Sequence, residues 1–281
     1  MLWGSSYFMN KALVGMMPPG DITAVRFTMS AIVLALVAPR ALRMSRRTLL
    51  QGIAMGTAYG IAQLFLMFGI VHTSASVSGF LTGMYAVFTA VMVALILRRN
   101  PPPRVWISVG LATAALGVLT LAPGATGGLG LGELLSIAAA VGFAAHIVLT
   151  DMFIDQRRVM SLAIVQTATV AVWSLAVAAP GGITMPHGTV QWGALIYLGV
   201  LCGALTLFLQ ACGQARMEAS RAAVIMSSEP LWAAVFAVLA GQEVLSVRTV
   251  VGGTLMMGAI WLAVRIPPLR RRTDPPPTAV S

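Results

Sequence analysis

Ten apolar segments, separated by Pro, Gly and Arg, run through the chain near 1–17, 21–39, 48–70, 74–97, 104–122, 130–151, 159–179, 191–212, 217–240 and 246–265. Each is close to the roughly 20 mainly apolar residues that a helix needs to cross a hydrocarbon core. With 58% hydrophobic and 9% charged residues and a mean hydropathy of +0.88, the composition excludes a water-soluble domain. It predicts an all-α integral membrane protein, because lipid offers no hydrogen-bond partner to an exposed backbone. The first segment is expected to belong to the bundle rather than to a cleaved leader, since no basic segment precedes it and no small-residue cleavage site follows.

The stretch Gly69-Ile-Val-His-Thr-Ser-Ala-Ser-Val-Ser-Gly79 returns in the second half as Gly213-Gln-Ala-Arg-Met-Glu-Ala-Ser-Arg-Ala-Ala223. In that ungapped register Gly69 matches Gly213, Ala75 matches Ala219, Ser76 matches Ser220, Ala90 matches Ala234, Val91 matches Val235 and Arg104 matches Arg248. The chain therefore reads as a duplication, with one five-helix repeat over 1–125 and a second over 126–265. Five spans is an odd number, so the second copy enters the membrane from the opposite side. The expected fold is ten transmembrane helices in two inverted repeats around a central cavity, a build typical of secondary carriers with a small-molecule substrate at the repeat interface.

The net charge of +10 invites a nucleic-acid reading, which the placement of the arginines excludes. Arg40, Arg43, Arg46, Arg47, Arg98, Arg99, Arg104, Arg157, Arg158, Arg216, Arg221, Arg265, Arg270, Arg271 and Arg272 fall on one side of a ten-span arrangement; Lys11, Arg26 and Arg248 fall on the other. Positive loops stay in the cytoplasm, so both termini are expected inside, in a multi-pass protein of the inner (plasma) membrane. The tail 266–281, with three prolines in a row and three adjacent arginines, is expected to be disordered at the cytoplasmic lipid surface.

Motifs for chemistry are sparse. Cys202 and Cys212 lie about 15 Å apart along one helix and cannot pair. His72, His146 and His187 fall in different segments without neighbouring Cys, Asp or Glu at ligand spacing, so no metal site is expected. Gly127-Gly-Leu-Gly-Leu-Gly132 lacks the Lys-Ser/Thr of a phosphate loop and reads as an outer connection. No cofactor and no catalytic set are expected. Gly52, Gly56 and Gly60, Gly79 and Gly83, and Gly199 and Gly203 form small-residue faces suited to close helix packing.

Polar groups at membrane depth are costly and mark function or inter-helix bonding. Glu229, midway along the ninth span and followed by Pro230, is expected either to handle a proton or face a substrate amine, or to stay protonated in a hydrogen bond to a neighbouring helix. His146 is a candidate for proton movement or for an inter-helix hydrogen bond. Arg26 follows Asp21 in the second span and is expected to be structural or gating, through snorkelling or a local ion pair. Asn10, Tyr59, Gln63, Tyr85, Gln166, Gln210 and Trp232 complete the expected cavity lining, with Tyr59 and Gln63 one turn apart on one face. Trp3, Trp106, Trp192 and Trp261 are expected to anchor span ends at the interface.

Leu2-Trp-Gly-Ser-Ser-Tyr-Phe8, Pro18-Pro19 and Ala24-Val-Arg-Phe27 resemble the opening of EamA-type carriers of the drug/metabolite transporter superfamily. Ala219-Ser-Arg-Ala-Ala223, Glu229-Pro-Leu-Trp-Ala-Ala234, Gly241-Gln-Glu243 and the glycines from Gly252 to Gly258 resemble that family's closing motif. The resemblance implies a ten-helix fold with a central cavity and export of small metabolites; amino acids are the leading substrate class, and Glu229 and His146 point to protons as the coupling ion. The first repeat departs from the second in carrying Tyr85-Ala86 against Glu229-Pro230 and Arg98-Arg99 against Gln242-Glu243, so acidic roles do not transfer to it. Efflux of organic cations is the alternative within transport. An integral-membrane lipid-modifying enzyme is the alternative outside it, and would need titratable groups clustered at one interface.

Overall fold

The structure is a computed structural model and describes residues 2–73, 75–99, 101–120, 130–229, 232 and 247–264. The residues 127–129, Pro230, Gln242-Glu243 and the tail 266–281, each read above from the sequence, lie outside the described residues.

Helices account for every regular element among the described residues. They are α1 (Leu2–Val14), α2 (Pro19–Val37), α3 (Arg46–His72), α4 (Ala75–Gly83), α5 (Tyr85–Leu95), α6 (Pro103–Thr120), α7 (Leu131–Phe153) and α8 (Val159–Ala178). After them come α9 (Gly188–Ile196), a π-helical segment (Tyr197–Leu205), α10 (Thr206–Gln214), α11 (Ala219–Met226) and α12 (Val247–Val264). Five stretches are long and apolar enough to cross a membrane: Pro19–Val37, Arg46–His72, Leu131–Phe153, Val159–Gly181 and Gly188–Gln214. Shorter apolar helical stretches cover Leu81–Leu95, which spans the end of α4 and all of α5, and Pro103–Val118 and Val250–Leu262.

Sequence explains where several of these begin and end. Pro18 and Pro19 stop α1 and start α2, since a proline restricts the residue before it and suits a first helical turn. Ser45 caps α3 by accepting from Thr48 N at 3.2 Å. Hydroxyls within the helices fold back onto their own ladders: Thr23 donates to Pro19 O, Ser108 to Arg104 O, Thr167 to Ala163 O and Thr169 to Val165 O. That habit hides the polar group where no water can take it.

Two expected spans are interrupted. The segment near 74–97 is not one helix but α4 and α5, parted at Met84, whose N–H bonds Leu81 O at 3.2 Å in a tighter turn. Glycine at position 83 weakens the helix there. In the segment near 217–240, α11 stops at Met226, so Glu229 follows a break rather than sitting in an unbroken helix. Ser227 Oγ and Ser228 Oγ donate to Val224 O and Ile225 O, competing with the ladder at that turn. The first helix is shorter than expected, and the eighth segment begins at Gly188 and carries the π turns.

The core is built on close crossings. Helix α3 packs on both α7 and α8, α2 packs on α8 and on the π segment, and α6 packs on α12. Small residues permit these approaches. A Cβ at Gly56 would lie 2.5 Å from Gln166 O and 2.6 Å from Thr169 Cβ; one at Gly142 would lie 2.8 Å from Ala62 Cβ. One at Gly199 would lie 2.9 Å from Arg26 O. The outside of the bundle is apolar, with Leu36 75%, Leu95 72% and Val190 78% exposed, as expected of side chains solvated by lipid rather than water.

Gly56→Ala is expected to lower stability by about 1–3 kcal/mol through the overpacked α3 to α8 contact. Gly110→Ala on α6, where nothing lies within 4 Å of the added carbon, is expected to change it by less than about 0.5 kcal/mol. Thermal unfolding of both variants in detergent checks the contrast.

Candidate binding cavity

The crossings bring polar residues of seven helical elements around one cavity. Helix α1 presents Trp3, Ser6 and Asn10 along one face, α2 gives Arg26, and α3 gives Tyr59, Gln63 and Leu66. The first helix break contributes Thr82 and Tyr85, and the second Met226 and Glu229. Phe143, His146 and Ile147 come from α7 and Gln210 from α10. The cavity is narrow, with a volume of about 40 Å³.

Arg26 is 3% exposed. One terminal nitrogen donates to Asn10 Oδ1 at 3.1 Å and the other to Gln63 Oε1 at 3.3 Å, while the guanidinium carbon lies 4.6 Å from the Phe27 ring centre. The expected pairing with Asp21 does not form. Five residues turn an α-helix by roughly 140°, so the two side chains leave α2 in different directions. Asp21 instead accepts from Thr184 N at 2.9 Å.

Gln63 Nε2 donates to Tyr59 Oη at 2.9 Å, completing a chain from Arg26 to Tyr59 along α3. The Tyr59 ring packs edge-on to Phe27 at 5.9 Å and lies 5.4 Å from Phe143 and 4.8 Å from His146. His146 Nε2 is 3.0 Å from Gln166 Oε1, an inter-helix hydrogen bond to α8.

Asn10, Arg26, Tyr59, Gln63, Tyr85, His146, Gln210 and Glu229 thus meet at one cavity. Gln166 does not reach it: 1% exposed, it stands behind His146 and orients the ring. Trp232 lines a neighbouring cavity that shares Trp3, Gln210, Met226 and Glu229 with the first. Trp3 is a correction of the opposite kind, expected at the interface and found on the cavity wall. Its Nε1 donates to Cys202 O at 2.9 Å, a carbonyl of the π segment, where wide turns loosen the normal ladder. The same segment offers Gly199 O to Ser30 Oγ at 2.5 Å. Ser6, Thr82, Phe143 and Met226 also escaped sequence reasoning. Trp3, Ser6 and Asn10 do follow helical spacing, as do Phe143 and His146, so the signal was present for those.

Contacts at both ends of α7 close the arrangement. At its start Thr73 Oγ1 donates to Glu133 Oε1 at 2.5 Å, while Lys11 Nζ donates to Ile70 O at 2.7 Å and Thr73 O at 3.1 Å. At its end Arg99 pairs with Asp151 at 2.7 Å, the aspartate side chain being fully buried. A cation, an acid and neutral donors and acceptors around apolar walls suit reversible binding of a small molecule.

For His146 and Gln166 a double-mutant cycle to Ala is expected to give a coupling of about 1 kcal/mol, each substitution costing less in the background of the other. Melting temperatures of the two single variants and the double variant check it.

The profile of the EamA-like transporter family matches residues 1–121 and again 130–265. A solved crystal structure, described only as that of a protein, aligns at 18% identity over 93% of this chain and 94% of its own, with a TM-score of 0.75. At that identity the likeness is one of fold. No curated protein matches the sequence. The two family matches together span nearly all of the described helices, and the chain belongs to the EamA-like transporter family.

Proposed function

We propose that this membrane protein is a secondary carrier that exports small metabolites, amino acids or related compounds, by alternating access. The observation that carries the reading is the shared cavity: Asn10, Arg26, Tyr59, Gln63 and Tyr85 of the first half face His146, Gln210 and Glu229 of the second. A site lined by both halves is the one place where rocking one half against the other changes which side has access.

The arrangement proposed is ten spans in two inverted five-helix repeats, with both termini at the cytoplasmic face of the inner membrane. Two features support it. In the repeat register Met84 corresponds to Ser228 and Tyr85 to Glu229, and the fourth and ninth spans break at these corresponding places. The packing pairs also exchange: α3 on α8 has its counterpart in the π segment on α2. The arginine distribution supports the orientation. Protons are the proposed coupling ion, with Glu229 as their acceptor, because it is the acid that lines the cavity.

Uptake of radiolabelled aromatic and aliphatic amino acids into proteoliposomes, beside a quaternary ammonium dye and with or without a pH gradient, tests this. Saturable amino-acid flux that responds to the gradient is expected; flux of the dye alone would overturn the substrate class. Glu229→Gln is expected to keep the folded elution profile and lose gradient dependence. Wild-type dependence in that variant would remove the coupling role.

A further inference from the structure

Arg26 is a buried cation whose partners are neutral. Asn10 Oδ1 and Gln63 Oε1 accept from its two terminal nitrogens, and Nε has no hydrogen-bond partner. Among the described residues its guanidinium is in no ion pair, unlike that of Arg99, which pairs with Asp151, or Arg158, which pairs with Asp155. Buried charges are ordinarily paired, because amide oxygens compensate a full charge only in part. Arg26 nevertheless lines the cavity, and so its missing counter-charge has a place to bind.

We propose that Arg26 is the group that recognises substrate in this cavity, and that what it recognises is a carboxylate. The proposal rests on the carrier reading above and narrows its substrate class. A guanidinium presents donors in a planar fork that matches a carboxylate's two oxygens. Asn10 and Gln63 act as positioning residues, holding that fork from α1 and α3. Gln63 also donates to Tyr59 Oη, which leaves the phenol's own proton free to reach the same anion.

The remaining lining completes the ligand. Glu229 is the acid on the cavity wall and Gln210 Oε1 is a buried acceptor without a partner, so an amino group is matched at their side. Leu66, Phe143, Ile147 and Met226 take an apolar side chain. A zwitterion satisfies both charges at once. An organic cation without an acid group would bring a second positive charge beside Arg26, which counts against the efflux alternative.

Purified protein is titrated with L-phenylalanine and with L-phenylalaninamide, which differ only in replacing the carboxylate by a neutral amide. In the native protein the amide is expected to bind roughly 100-fold more weakly. In Arg26→Gln the acid is expected to fall to the level of the amide, bringing the ratio close to one. A merely structural loss would weaken both ligands alike and keep the ratio. Arg26→Lys retains charge without the fork and serves where the Gln variant does not fold; there the ratio is expected to fall about tenfold. Equal binding of acid and amide by the native protein, or an unchanged ratio in either folded variant, overturns the proposal and leaves the carrier reading intact. Absence of binding by both ligands, together with absence of amino-acid flux, overturns the amino-acid substrate class and the proposal with it.

Discussion

The close crossing of α3 with α7 and α8 is the contact on which the rest depends. Lipid gives helices no hydrophobic reason to associate, so van der Waals packing at small residues must hold them. Gly52 and Gly56 receive Val165, Gln166 and Thr169 from α8, while Ala62 meets Gly142 of α7. That approach sets the Tyr59 ring 4.8 Å from the His146 ring and brings Gln63 to the buried Arg26. A larger residue at the crossing would separate the polar groups that form the cavity as well as loosen the bundle.

Irregular helical backbone among the described residues finds partners in neighbouring helices. The π segment exposes Gly199 O and Cys202 O, and both are taken by side chains of α2 and α1. At the breaks after Gly83 and Met226, Tyr85 and Glu229 turn to the cavity. A spanning helix can be broken only where its freed carbonyls and amides find partners or line a cavity. Breaks and binding groups therefore coincide for one reason, and the Ser227-Ser228 turn gives Glu229 an exit from the helix ladder that a continuous α-helix would deny it.

Much of this was legible in the residues. Composition and segment length predict the helices, and spacing along α3 puts Tyr59 and Gln63 on a common face. The polar midspan residues are few enough that most of them must meet. The misses have physical causes. Which way Arg26 turns depends on amides sixteen and thirty-seven positions away, at Asn10 and Gln63, rather than on nearby Asp21. Trp3 looks like an interfacial anchor by position, and only the π turns of a distant segment supply the carbonyl that draws it inward. Gln166 is polar and at membrane depth like the lining residues, yet its bond to His146 places it behind the wall. Helical periodicity reports the face of one helix and is silent on what crosses it.

The two ends of α7 are not equally fastened. At the Asp151 end a fully buried carboxylate meets Arg99 at 2.7 Å, and removing one partner of such a pair costs about 3–5 kcal/mol because the other charge stays buried. At the Glu133 end the bonds run to a hydroxyl, Thr73, and to the Gly130 amide at 3.0 Å, on a side open to solvent. Water replaces much of what such bonds contribute when they part. Lys11 adds contacts to carbonyls at the end of α3, also with a solvated alternative. The Glu133 end of α7 is therefore the less firmly held of the two.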